Sequence, residues 1–243
     1  MDLNGKAAIV TGGAVRLGRE IAMGLARAGA DVLVHYGRSA EVARDTAAAV
    51  EALGRRAAAV QADLTEPVQA ARTIFEAAGE AFGHTEILVN SAAVFERTPF
   101  DQTTPDAWHR QFAINLHAPF CLCQEFARRL PPGTRGQIVN LVDWRALRPG
   151  AGSVVYTLTK SALVTLTRVL AQDLAPQVQV NAVAPGAILP PPDEGPGYLE
   201  RLADRIPLGR PGLPQDVVEA VLFLLRSDFI TGEVLHVTGG QEL

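Results

Sequence analysis

The 243-residue chain is poor in aromatic side chains, at 6%, and holds two cysteines. So few cysteines exclude a disulfide framework. Cys121 and Cys123 stand two apart on an apparent helix, where they point in different directions and cannot share a metal ion, so they read as buried small hydrophobes. Neither sign of charge dominates: 22 basic residues against 26 acidic ones leave a net charge of −4. That balance argues against a nucleic acid or an acidic membrane surface as partner. No apolar run approaches the length of a membrane span, and the chain does not open on a basic-then-apolar leader. A cytoplasmic protein is the expectation. Linkers, repeats and charge runs are also missing, so residues 1–243 are expected to form a single domain.

Hydrophobic residues make up 48% of the chain, with Ala, Val and Leu prominent, as suits a parallel sheet covered on both faces. Short apolar or β-branched runs alternate with helical patterns. Strands are expected over Lys6–Thr11, Asp31–Tyr36, Ala57–Ala62, Glu86–Asn90, Gln137–Val142, Val178–Val183 and Glu233–Val237. The first helix is expected near Leu17–Ala28, with Gly29 after its end; another runs from Ala40 toward Leu53 and stops at Gly54. Such alternation predicts right-handed βαβ units: a Rossmann-type, doubly wound α/β fold of about seven parallel strands with helices on both faces. Gly186–Gly209 departs from the pattern. It carries Pro190, Pro191, Pro192, Pro196 and Pro207 and reads as a lid or substrate loop.

Thr11-Gly12-Gly13-Ala14-Val15-Arg16-Leu17-Gly18 follows the first strand and opens the first helix. Glycines there let the backbone approach a pyrophosphate, whose charge sits at a helix N-terminus. The second strand ends at His35-Tyr36-Gly37-Arg38-Ser39. An NAD site places an acid at that point to hold the ribose hydroxyls, and none lies between Val32 and Ala40. Arg38 and Ser39 suit a 2′-phosphate instead, so NADPH is the expected cofactor; the alternative is that Arg38 is a solvated loop charge. Asp63 reads as an adenine acceptor or a helix N-cap. Tyr156 and Lys160 lie four apart on a helical segment, hence on one face. A nearby ammonium would lower the phenol's pKa and ready it to exchange a proton.

These pieces, with Asn90-Ser91-Ala92-Ala93, Asn115, the strand ending at Val142 and Asn181…Pro185-Gly186, resemble the short-chain dehydrogenase/reductase family over nearly the whole chain. The resemblance implies that Tyr156 is the proton donor, and that Lys160 binds the nicotinamide ribose and tunes Tyr156. It implies that Asn115 holds a relay water, that Asn90 and Ala92 meet the cofactor through their backbone, and that Pro185 and Gly186 border the nicotinamide. Gly12, Leu17, Gly18, His35, Tyr36 and Leu64 join the cofactor site on the same ground. A homotetramer built through helices around Trp108–Arg129 and Ser153–Ala175 is also implied.

Two departures resemble the pteridine reductase branch of that family. Asp143 stands thirteen residues before Tyr156, where most members have serine, and Arg16 stands where most have glycine. His35-Tyr36-x-Arg38-Ser39-Ala40 and Phe95 point the same way. Ser91 and Val94 depart from the usual residues of their turn. The resemblance implies a pterin stacked between Phe95 and the nicotinamide, Arg16 between pyrophosphate and substrate, and protons from Asp143 and Tyr156. Plainer roles stand beside these: a strand-end cap for Asp143, core packing for Phe95 and a surface helix charge for Arg16. A serine hydroxyl suits a ketone oxygen, whereas a carboxyl suits a basic ring nitrogen or amino group. The alternatives are a ketone reductase such as a 3-oxoacyl-[acyl-carrier-protein] reductase, which Asp143 and Arg16 argue against, and a dinucleotide-sensing protein, which would need no proton relay. No metal site is expected.

Overall fold

The computed structural model describes residues 1–191, 194, 195 and 197–243; the expected loop prolines Pro192 and Pro196 lie outside the described residues. Seven parallel strands form one sheet in the order β3-β2-β1-β4-β5-β6-β7. They are β1 (Ala7–Val10), β2 (Asp31–Tyr36), β3 (Ala57–Gln61), β4 (Ile87–Asn90), β5 (Gly136–Leu141), β6 (Val178–Pro185) and β7 (Val234–Val237). The helices are α1 (Arg16–Arg27), α2 (Ala40–Glu51), α3 (Pro67–Phe82), α4 (Pro105–Phe112), α5 (Ala118–Arg129), α6 (Val154–Asp173) and α7 (Pro214–Arg226). Every expected strand is present within two residues of its predicted bounds. Gly29 and Gly54, just past α1 and α2, both take positive φ, as glycines ending helices do.

Strand side chains alternate between the two layers because successive residues face opposite sides of a sheet. Ala8, Val10, Val32, Val34, Ile87, Val89 and Val139 pack with the apolar faces of α1 and α7. Ile9, Leu33, Leu88 and Ile138, between them, pack with α3 and α5. Each fully buried Leu or Ile contributes about 1.5–3 kcal/mol relative to exposure. Cys121 and Cys123 are free and buried in the second layer, as expected. The α6 helix is the one described helix long and apolar enough to cross a bilayer; half of that stretch is buried inside the protein, and it carries the buried Lys160.

Chain order reverses between β1 and β4, and the loops after these strands open a crevice at the carboxyl ends of the sheet. Thr11, the first residue after β1, bridges it: its Oγ1 accepts from the backbone N–H groups of Ser91 and Ala92, both at 3.0 Å. The expected Gly186–Gly209 loop is irregular through its described residues except for a 3-10 turn at Glu200–Arg205.

Candidate active site

The crevice has two adjoining cavities. The larger, about 980 Å³, is lined by the turn after β1 together with Gly37, Arg38, Asp63, Leu64 and Ala92. The smaller, about 530 Å³, is lined by Phe95, Arg97, Asp143, Trp144, Arg145, Tyr156, Gly186 and Tyr198. Arg16, Ala93, Val94 and Glu96 line both.

The wall of the larger cavity is fixed by backbone closeness. A Cβ on Gly18 would lie 2.2 Å from the Gly12 carbonyl oxygen, so α1 can start beside the turn only with glycine there. Gly12 has φ +64° and lies against Ala92. His35 is buried beneath them. Its Nδ1 accepts from the Gly12 N–H at 3.1 Å and its Nε2 bonds the Ala62 carbonyl at 3.0 Å, which sets the neutral Nε2–H tautomer. Burial lowers its pKa and keeps it neutral. His35 therefore props the turn and also lines the larger cavity, and Tyr36, which the family resemblance also gives to the cofactor, packs partly buried against the first core layer.

Arg38 is exposed on the groove with no salt-bridge partner among the described residues, and Ser39 precedes α2. Asp31, the nearest acid in β2, lies at the strand's other end, buried and clamped by Arg55 and Arg56. Asp63 caps a turn instead of a helix: its carboxylate accepts from the Thr65 N–H at 2.9 Å and the Thr65 hydroxyl at 2.7 Å, and these bonds lower its pKa. Leu64 is buried beside it. Asn90 sends its side chain inward, to Asn140 at 2.8 Å, which leaves its backbone as the part that can face the crevice. Pro185 ends β6 in register with Val237, and Gly186 continues onto the cavity wall.

Arg16 has φ +51°, the left-handed region where glycine is at home and another residue carries strain of about 1–2 kcal/mol. Its guanidinium reaches the Pro190 carbonyl at 2.6 Å, joining the turn to the loop after β6. Neither feature belongs to an ordinary surface helix charge.

In the smaller cavity the Tyr156 hydroxyl donates to Asp143 Oδ2 at 3.1 Å. The same carboxylate accepts from the Arg145 N–H at 2.8 Å and from the Arg145 guanidinium at 3.3 Å. Asp143 thus caps a local amide and also engages Tyr156. It is an acceptor on every contact, which differs from the expectation that it supplies protons. Burial and the Asp143 charge push the Tyr156 pKa well above 10.0. This corrects the expected lowering by Lys160. The ammonium donates to the Leu141 carbonyl at 2.7 Å and lies 5.9 Å from the center of the Tyr156 ring. Burial lowers Lys160 itself from 10.5 to about 8.

Asn115 lies in a π turn (Ala113–His117) between α4 and α5, a distortion common at functional sites. Its side chain is committed: it accepts from the Val94 N–H, donates to the Val94 carbonyl (both 2.9 Å) and reaches the Thr159 hydroxyl at 3.3 Å. It pins the loop that carries Phe95. Phe95 is half-buried, edge-on to Tyr156 with ring centers 4.6 Å apart, and so lines the cavity instead of joining the core. Three neighbours were not expected: Arg97, Arg145 and Tyr198. Thr11, expected only as part of the glycine turn, also bridges to the loop after β4. Arg145 contacts Asp143 two residues away, whereas Arg97 and Tyr198 meet only through the fold.

A family profile described as enoyl-(acyl carrier protein) reductase matches residues 13–242. The chain belongs to the short-chain dehydrogenase/reductase family and is an oxidoreductase of that family. It is similar to an uncharacterized oxidoreductase of Methylorubrum extorquens, at 37% identity over 98% of each chain. Among solved structures it is similar to FolM alternative dihydrofolate reductase 1 of Brucella canis complexed with NADP, at 34% identity and a TM-score of 0.92, covering 100% of this chain and 96% of that one. A short chain dehydrogenase of Burkholderia cenocepacia in complex with NADP gives 37% identity and a TM-score of 0.92 over 100% of both chains.

Proposed function

We propose that the chain is an NADPH-dependent reductase of a pterin-like substrate, a planar nitrogen-rich bicycle such as a dihydropterin. The observation that carries this reading is the Asp143 carboxylate, an acceptor on every contact, beside Tyr156 on a wall shared with Phe95. A ketone oxygen presents lone pairs, which such a carboxylate repels. The amino and ring N–H edge of a pterin presents donors, which it accepts. Phe95 offers the stacking face, worth about 0.5–1.5 kcal/mol beyond burial.

The larger cavity fits a dinucleotide. Its glycine wall admits a pyrophosphate at close range, and Arg38 and Ser39, with no acid beside them, suit a 2′-phosphate. Asp63 and Leu64 would border the adenine, Ala92 and the Asn90 backbone the middle of the cofactor, and Pro185 and Gly186 the nicotinamide. Bound NADPH supplies a hydride. Tyr156, held protonated by burial, supplies the proton by turning its hydroxyl from Asp143 to a substrate nitrogen. Lys160, near 8, recharges the phenol and holds the ribose. The Asn115 side chain is spent on Val94 and Thr159, so a relay water at this residue binds its backbone in the π turn. The NADP complexes of the Brucella and Burkholderia relatives support the cofactor, and the name of the first supports the substrate class. We place the contacts of a homotetramer on the apolar face of α4, α5 and α6, where Phe112, Leu116, Phe120, Leu166 and Val169 line one shallow groove.

Asp143→Ser tests the substrate reading, because it restores the residue usual in ketone-reducing relatives. It should cut kcat/KM for a dihydropterin by about a hundredfold, the cost of a lost charged hydrogen bond with its partner left unpaired, while leaving any weak ketone activity in place. Equal loss on both substrates would contradict the reading.

A further inference from the structure

We propose that the mouth of the substrate cavity holds a carboxylate subsite formed by Arg97, Arg201 and the Tyr198 hydroxyl, and that Glu194 is an internal carboxylate which the substrate's own carboxylate displaces. The inference rests on the pterin reading and sharpens it: the preferred substrate is a reducible bicycle whose side chain ends in a carboxylate, as that of dihydrofolate does.

Charge distribution at the cavity supports it. The Arg97 guanidinium bonds Glu194 at 3.1 Å and the Tyr198 hydroxyl at 2.9 Å. Arg201 approaches the other Glu194 oxygen at 3.5 Å. Two guanidinium groups thus share one carboxylate, although the whole chain is net acidic. The acids on the cavity wall are committed: Asp143 to Arg145, and Glu96 to Nε and Nη2 of Arg110 at 2.8 and 2.7 Å. Planar guanidinium forks match a carboxylate better than any other common anion except phosphate.

Position supports it independently. The Arg97 guanidinium lies 5.4 Å from the center of the Phe95 ring and 5.9 Å from that of Tyr198. The guanidinium thus lies over the Phe95 ring, so a bicycle bound beside Phe95 would have its outward side chain within reach of Arg97. Arg97 comes from the loop after β4 and Glu194 from the loop after β6, so their ion pair is a strap that ties these two loops together beside the cavity wall that Arg97 and Tyr198 line. A substrate carboxylate replacing Glu194 keeps the guanidinium groups paired and releases the strap. Binding is then a competition between two carboxylates for the same donors.

Competition makes a signed prediction that a simple strap does not. Read as the ratio of kcat/KM for dihydrofolate to kcat/KM for dihydrobiopterin, whose side chain has no carboxylate, the two ends of the ion pair act in opposite directions. Arg97→Gln should lower the ratio roughly fivefold and Glu194→Gln should raise it about threefold, the size expected of half-exposed ion pairs. Raising the salt should lower the ratio in the unmodified enzyme. If both variants moved the ratio the same way, or neither moved it, the subsite would be overturned and Arg97 would be only a strap, with the pterin reading intact. If the unmodified enzyme reduced neither substrate, the pterin reading would fail by itself. Titration with p-aminobenzoylglutamate then decides the subsite: weaker binding to Arg97→Gln with tighter binding to Glu194→Gln supports it, and equal affinity across the three proteins overturns it.

Discussion

Along the cofactor cavity the shaping atoms are backbone: the Gly12 carbonyl against Gly18, the Gly12 N–H on His35, and the Ser91 and Ala92 N–H groups on Thr11. Around the substrate cavity they belong to long side chains: Arg16 at the start of α1, and Arg97, Arg145 and Tyr198 from the segments after β4, β5 and β6. Backbone geometry tolerates little change, because a carbonyl cannot step aside for a Cβ. Long side chains re-aim at small cost. The first cavity is thus suited to one unvarying ligand, and the second is where specificity can be altered without disturbing the fold.

The largest effect should come where the two cavities meet the chemistry. Tyr156→Phe deletes one hydroxyl and should reduce kcat by about 10²–10⁴-fold, the usual contribution of a positioned acid. NADPH affinity, followed by fluorescence titration, should stay within a few-fold. Near-normal turnover would mean that the proton comes from elsewhere.

Arg38→Asp perturbs the cofactor cavity alone. Losing a charge-assisted phosphate contact costs roughly 1.5–3 kcal/mol, so NADPH binding should weaken about ten- to a hundredfold while NADH binding is spared. The unmodified enzyme should accordingly prefer NADPH, and equal affinity for the two cofactors would remove Arg38 from the site.

The smallest effect sharpens the boundary between the cavities. Arg16 holds a left-handed conformation while its guanidinium ties the turn to Pro190. Arg16→Gly should raise thermal stability by about 0.5–1 kcal/mol through relief of that strain, and should raise KM for the pterin. A variant that lost stability would show that the Pro190 bond outweighs the strain.

The same contrast explains what could be read from the sequence. The strands were legible because runs such as Ala7–Val10 and Val32–Val34 must be apolar to lie between two helical layers. Tyr156 and Lys160 were legible because four residues on a helix is one face. Gly12 and Gly18 announced the turn. The lysine's bond to Leu141, nineteen residues away, was not legible, nor was the phenol's raised pKa, which follows from its burial and from Asp143. Arg97 meets Glu194 and Tyr198 across 97 and 101 residues of chain, where no local pattern can signal a contact. Arg16 is intermediate. Its backbone conformation was hidden, yet an arginine where relatives carry glycine was the visible trace of it.

The most direct test of the account is NADPH oxidation by the unmodified enzyme with a dihydropterin and an acetoacetyl thioester side by side. The arrangement of Asp143, Tyr156 and Phe95 predicts that the dihydropterin is turned over at least about tenfold more efficiently, since a carboxylate beside a ketone oxygen forfeits at least one hydrogen bond. Efficient reduction of the thioester with no turnover of any pterin would contradict it and leave a ketone reductase in its place.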